Sequence, residues 1–287
     1  MPEPIRPLFI APFAELGGSE MVMLRIVRGL DERFEPREGD GRQGPIHVPA
    51  LDLDNLYGGG PGRSPHLYDS TIDGGRTTFL LEEIPGSAAV SVDNTTRFDL
   101  PRNSQKTALI GDPRNDENLI VSQFHLALLR FHNKVVADVK SELGAGYTLG
   151  EIFSEAQRVV RWHYQWLIIH EFLARTVGGE LVDDVLSKGP KHFKWRNDPY
   201  IPVEFSVAAY RFGHSQVRPS YRANFGTSAS NAAQQFFALF FDPTAADPDD
   251  PADLRGGRRA SRRFIDWQTF FDFGDGRARP NKKIDTT

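Results

Sequence analysis

The chain has 287 residues, 39% of them hydrophobic and 25% charged, which is enough apolar content for one large or two modest domains. Its net charge of −4 argues against a nucleic-acid partner held by bulk electrostatics. With no cysteine there is no disulfide, thiolate metal site or cysteine nucleophile.

No apolar stretch is long enough to span a bilayer. Met1–Phe13 is interrupted by Pro2, Pro4, Pro7 and Pro12 and lacks the apolar run of a signal peptide. Neither the cytosol nor export is selected by these features, and nothing in them sets an oligomeric state.

Ser19–Leu30 predicts a short helix, followed by a charged, glycine-rich loop over Asp31–Gly44. In Leu51–Tyr57, Asp52 and Asp54 alternate with Leu51 and Leu53. An extended segment would place both carboxylates on one side, where they attract a hard cation such as Ca²⁺ or simply form a solvated loop edge. Residues 63–105 alternate short apolar runs with turn residues and predict loop with one small hairpin.

Asp112-Pro-Arg-Asn-Asp-Glu-Asn118 carries helix-start grammar. Asp112 is a capping residue, Pro113 fits the first helical position, and Asp116 and Glu117 suit the positive end of the helix dipole. Apolar periodicity then predicts a long helix to about Lys140. Arg114 and Glu117, three apart at its mouth, are either a surface ion pair or a cation and a carboxylate facing a pocket. His125 and His132 share a face but lie two turns apart, too far for one small ion, so core or interface packing is expected of them.

A second long, aromatic-rich helix is predicted over Leu149–Val177, stopped by Gly178-Gly179. A polar loop, Lys188–Pro202, leads to Glu204–Tyr221, which predicts one helix between Pro202 and Pro219. His214 lies deep in it, with Tyr210 and Arg211 one turn earlier. A neutral imidazole on a helix is a ligand for a transition metal or haem iron, although a lone helical histidine is more often a core residue. Ser230–Phe241 predicts a further short helix, Asp242–Gly257 an acidic loop, and Arg258–Phe273 an amphipathic stretch before a polar tail. There is no Gly-rich phosphate loop, His-Glu-x-x-His or Gly-x-Ser-x-Gly elbow. The fold class is mainly α, with few short strands and a loop-rich first third.

Three of these stretches, in this order, resemble the animal-type haem peroxidase superfamily, in particular its bacterial members. They are Leu51-Asp-Leu-Asp-Asn-Leu-Tyr-Gly58; Asp99-Leu-Pro-Arg-Asn-Ser104 with Gly111-Asp-Pro-Arg-Asn-Asp-Glu-Asn118, running on through Leu129-Arg-Phe-His-Asn-Lys134; and Phe205–Tyr221, centred on Tyr210-Arg-Phe-Gly-His-Ser215. The resemblance implies a helical haem-peroxidase domain over residues 49–287. It implies haem b with His214 as proximal iron ligand, Arg211 facing a haem propionate, and Arg114 as the catalytic arginine that polarises bound peroxide. Glu117 matches a carboxylate that some members ester-link to haem, and Asp52 and Asp54 match two positions of a calcium loop to which the Ala50 carbonyl would add an oxygen. The implied partners are hydrogen peroxide and an electron donor of unidentified kind.

Residues 1–48 depart from the family pattern. They hold no Gly-Gln-Phe-x-Asp-His-Asp segment, so the distal histidine that moves the peroxide proton is missing, and with it an aspartate that contributes to calcium. His47 is the only histidine there, and Val48 replaces a threonine of the calcium loop. Asn118 stands where one mammalian branch has methionine, and the family's downstream asparagine, which accepts from the proximal histidine, is not found. The expectation is a domain incomplete at both ends and impaired in peroxidase turnover, against which stands a non-enzymatic helical homologue. A fatty-acid dioxygenase of the same superfamily is a third reading. It is disfavoured because Arg211, rather than a tyrosine, lies three residues before His214.

Overall fold

The computed structural model describes residues 51–143, 146–192, 201–216, 220–226, 234–236, 261–273 and 276. The expected helix at Ser19–Leu30, the loop after it, His47, Val48, Ala50 and the acidic loop at 242–257 lie outside these residues. Among them the structure is mainly helical with a few short strands, as expected.

The core is built on two helices, α1 (Leu119–Leu143) and α2 (Leu149–Trp166), packed against each other. Val135, Val136 and Val139 of α1 meet Ile152, Ala156 and Val160 of α2 in one buried cluster. Ahead of α1, a 3₁₀ turn over Pro113–Asp116 is capped by Asp112, whose side chain accepts from the Arg114 amide at 3.0 Å, with Pro113 at the first position. Asn118 then accepts from the Val121 amide at 3.0 Å and starts α1 proper. At α2, Thr148 and Glu151 form a reciprocal capping box, the Thr148 amide donating to Glu151 at 2.8 Å and the Glu151 amide to Thr148 at 3.3 Å.

The second long helix is not uniform. α2 passes into a π-helical run, Leu167–Leu173, and a last turn, Ala174–Val177, ends at Gly178 with φ 93°, the stop that the glycine pair predicts. A further helix, α3 (Gly179–Lys188), follows directly, over residues for which no element was expected from the sequence.

Leu51–Tyr57 is not extended. Leu51 and Leu53 adopt left-handed φ values of 53° and 60°, and Asp54–Tyr57 forms a helical turn whose Leu56 and Tyr57 are buried beside Leu53 and Leu67. Burial of these side chains overrides the alternation on which the same-side carboxylates rested. The expected small hairpin is present, as β1 (Glu82–Glu83) antiparallel to β2 (Phe98–Asp99).

Two predicted helices also change. The helix expected over Glu204–Tyr221 is α4 (Val203–Val207), a break at Ala208, then a 3₁₀ run over Ala209–Gln216. Val203 and Val207 lower helix propensity, Gly213 more so, and Val203 and Phe205 are 71% and 50% exposed, so burial does not hold the α form. Ser220–Arg222 is β3, paired antiparallel with β4 (Gln234–Phe236), which falls inside the helix expected at Ser230–Phe241. Strand pairing across the chain outcompetes a weak local preference there.

A second, smaller core forms where Leu119 at the start of α1 meets Ala223, Ile265 and Trp267. Phe264, Ile265 and Trp267 of the last predicted stretch are thus buried while Phe271 is exposed, and the backbone is irregular with a 3₁₀ turn at Trp267–Thr269. His125 and His132 are core residues, as their spacing predicts. Among the described residues no helix is long and apolar enough to cross a membrane.

Candidate functional site

The Pro113–Asp116 turn carries Arg114, and Glu117 follows it at the surface. The turn's own backbone bonds are few, Asn115 N–H donating to the Asp112 carbonyl at 3.0 Å and Glu117 N–H to the Arg114 carbonyl at 3.3 Å. Arg114 does not pair with Glu117. Its guanidinium grips Asp112 with two prongs, at 3.0 Å through Nε and 2.5 Å through Nη2. The Arg114 side chain is 85% exposed, so solvent screens this pair. Hydrogen bonds from Arg114 draw the Asp112 carboxyl down to about 2. Arg114 is raised in turn, chiefly by Asp112 and slightly by the charge of Asp54.

Two side chains of the turn point into the protein. Asn115 Nδ2 donates to His125 Nδ1 at 2.9 Å, which leaves the ring proton on Nε2, where no partner is found. Burial pushes His125 down to about 4, against the pull of Asp112 and Asp116. Asp116 receives both arms of Arg102, each at 2.7 Å. Arg102 also donates through Nε to Asp99 at 3.0 Å and from Nη1 to the Lys106 carbonyl at 2.9 Å. Arg263, from the distant 261–273 segment, adds contacts to Asp99 at 3.5 Å and Asp116 at 3.9 Å.

Asp52 and Asp54 sit beside this turn. A Cβ on Gly111 would lie 2.6 Å from the Asn55 carbonyl oxygen, so the Asp54–Tyr57 turn and the Arg114 turn touch backbone to backbone. The two carboxylates serve local amides, Asp52 accepting from Asp54 N–H at 3.3 Å and Asp54 from Asn55 N–H at 2.7 Å. Arg161 of α2 secures the segment by donating to the Asp52 carbonyl at 2.6 Å. Among the described residues no group of three or more His, Cys, Asp or Glu could hold a metal ion.

His214 and Arg211 are carried by a different segment, the 3₁₀ run over Ala209–Gln216. Among the described residues no hydrogen bond, ion pair or ring contact joins them to Arg114 or Glu117. Both are exposed, and the Arg211 guanidinium lies 6.0 Å from the centre of the Tyr210 ring. Val207, Tyr210 and Phe212 around them are also exposed. An open imidazole, a cation one turn before it and apolar side chains alongside suit a flat apolar group that carries a metal and carboxylates.

The structure therefore sets the Asp54–Tyr57 turn against Gly111, just before the segment that carries Arg114 and Glu117, and places His214 with Arg211 on a separate segment. Sequence reasoning missed the Arg102–Asp116–Asp99–Arg263 cluster and the Asn115–His125 bond. Asp99 and Arg102 at i, i+3 were a local signal for the first. Arg263 had none.

A family model described as animal haem peroxidase matches residues 16–254, a span that includes Arg114, Glu117, Arg211 and His214 and opens inside the segment without a distal-histidine pattern. A peroxidase of Drosophila melanogaster is 27% identical over 214 residues, covering 71% of this chain and 30% of that protein. Human (Homo sapiens) thyroid peroxidase is 30% identical over 153 residues, covering 52% and 15%. A peroxidase-like protein of Margaritifera margaritifera is 35% identical over 115 residues, covering 38% and 14%. The chain spans less than a third of the length of these relatives. Matched by the family model over most of its own length, it belongs to the animal haem peroxidase family.

Proposed function

We propose that this chain contributes the haem-binding part of a peroxidase, one that uses H₂O₂ to oxidise a donor. The family match over residues 16–254, which holds both Arg114 and His214, carries the reading. The exposed His214 imidazole, Arg211 one turn earlier and the apolar side chains between them fit haem b in chemistry. His214 would ligate the iron and Arg211 would bind a propionate, as a guanidinium binds a carboxylate with two hydrogen bonds. A bound haem would supply the two-electron reduction of H₂O₂ to water at the donor's expense.

Arg114 donates hydrogen bonds to a peroxide oxygen and stabilises the negative charge that develops there as the O–O bond breaks. Its present partner, Asp112, is an exposed ion pair of small worth, so exchanging it for peroxide costs little. Glu117, exposed one turn on, is a carboxylate available for an ester to a haem methyl. Among the described residues no exposed histidine touches this turn to carry the proton that must move between the peroxide oxygens. His125, which touches the turn through Asn115, is buried, so turnover by this chain alone is slow. Asp52 and Asp54 each accept one local amide and keep further oxygen lone pairs for a cation.

Titration with haemin tests this reading. The parent chain is expected to give a Soret band that His214→Ala alters, and Arg114→Ala to slow the reaction with H₂O₂ about 100-fold while changing haem affinity little. An unaltered Soret band in His214→Ala would remove the ligand assignment. Equal losses of affinity and rate in Arg114→Ala would make that arginine structural.

A further inference from the structure

The 3₁₀ turn at Pro113–Asp116 is too short to orient itself, since its backbone bonds span only Asp112–Glu117. What fixes it is the pair of inward side chains, Asn115 and Asp116. Asp116 stands two residues after Arg114 and one before Glu117, and it is held by a two-pronged guanidinium at 2.7 Å on both arms. Such a fork constrains direction as well as distance, because its donors are coplanar and fixed relative to one another.

Arg102 is itself immobilised. Its side chain is 1% exposed, its Nε is bound by the fully buried Asp99, and its amide donates to Glu82 of β1 at 2.9 Å. Arg263, also fully buried, adds a second guanidinium to the same two carboxylates. Burial pulls Arg102 down, yet hydrogen bonds and charge from Asp116 and Asp99 outweigh it and leave the guanidinium raised.

We propose that Arg102 is a positioning residue for the Arg114–Glu117 turn, holding it through the two-pronged bond to Asp116, with Arg263 bracing the same carboxylates from the far end of the described chain. The consequence for peroxide chemistry rests on the role given to Arg114 above, whereas the positioning itself does not. A lysine at position 102 keeps the charge and loses the fork. The turn then keeps only Asn115 and the longer Arg263 contact, while the α1–α2 core, which Arg102 does not enter, keeps its packing.

Amide hydrogen exchange on the full chain without haem separates positioning from general stability. In Arg102→Lys the amides of Asn115 and Glu117 are expected to exchange about tenfold faster, while those of Val135 and Val139 in the core stay within about twofold of the parent. Asp116→Asn, nearly isosteric, removes the acceptor's charge and is expected to give the same local rise, so the test survives if Arg102→Lys does not fold. Unchanged exchange at Asn115 and Glu117 would overturn the proposal, and so would an equal rise at all four amides, which marks a purely structural role. With haemin bound, Arg102→Lys is expected to lose reactivity toward H₂O₂ with little change in haem affinity. If Arg114→Ala proves silent toward H₂O₂ while Arg102→Lys still loosens the turn, the role of Arg114 fails and the positioning stands.

Discussion

Both ring nitrogens of His132 are committed in its neutral form. Nε2 donates to the Thr77 carbonyl at 2.9 Å, and Nδ1 accepts from the Tyr57 hydroxyl at 3.1 Å. Burial pushes this ring, like that of His125, down to about 4, and lowers His163 as well. Below pH 6.5 the unfolded chain takes up protons that the folded chain refuses, so the stability present above that pH is lost as pH falls toward 4 and levels off beneath it. Each of the two most shifted rings contributes on the order of 3 kcal/mol across that window. Asp266, raised mainly by its own burial, works in the opposite sense, its contribution being present at low pH and lost as pH rises. The urea midpoint is therefore expected to drop between pH 7 and pH 4.5. His132→Phe should be less stable than the parent at pH 7, with the difference narrowing at pH 4.5. A constant difference would show that His132 does not refuse its proton. The burial of both histidines was legible from their seven-residue spacing on an apolar helix. Their partners, Asn115, Thr77 and Tyr57, were not, because those contacts join segments that no periodicity relates.

Helix starts and stops followed local chemistry most closely. Asp112-Pro113 and Gly178 act where they were expected to, since capping and left-handed turns depend on a few adjacent residues. The Thr148-x-x-Glu151 box is of the same kind. Thr148→Ala removes the acceptor for the Glu151 amide and should cost about 1 kcal/mol, read as a shift in urea midpoint without loss of slope. A neutral result would mean that α2 is held by packing on α1 alone. The elements that escaped sequence reasoning depend on partners elsewhere. β3 and β4 exist because 220–222 and 234–236 pair, and α4 breaks at Ala208 on a segment whose side chains remain exposed. That same segment carries His214, so the residue singled out by motif sits on an exposed segment.

At the scale of the molecule, the chain doubles back on itself around the start of α1. Residues 261–273 return to cover Leu119, and Arg97 reaches Asp266 at 3.0 Å just as Arg263 reaches Asp99. The order of motifs located the Arg114 turn and the His214 segment along the chain. It gave no hint that residues more than a hundred positions downstream would brace that turn, because charge pairing at that separation leaves no trace in local pattern. The contact between the turn and the Asp54–Tyr57 segment is equally hidden, and it hangs on Gly111.

Position 111 works as a ruler one methyl group long. A side chain there must displace the Asn55 carbonyl, and the displacement passes to Tyr57, whose hydroxyl holds His132 in the core. Gly111→Ala is expected to cost about 1–3 kcal/mol by urea unfolding and to raise the exchange of the Asn55–Tyr57 amides together with those of Asn115 and Glu117. If only one of the two stretches responds, they move independently. If both respond, the Arg114 turn and the Tyr57–His132 core are one mechanical unit, and a change of spacing at the surface is felt as a change of proton affinity within.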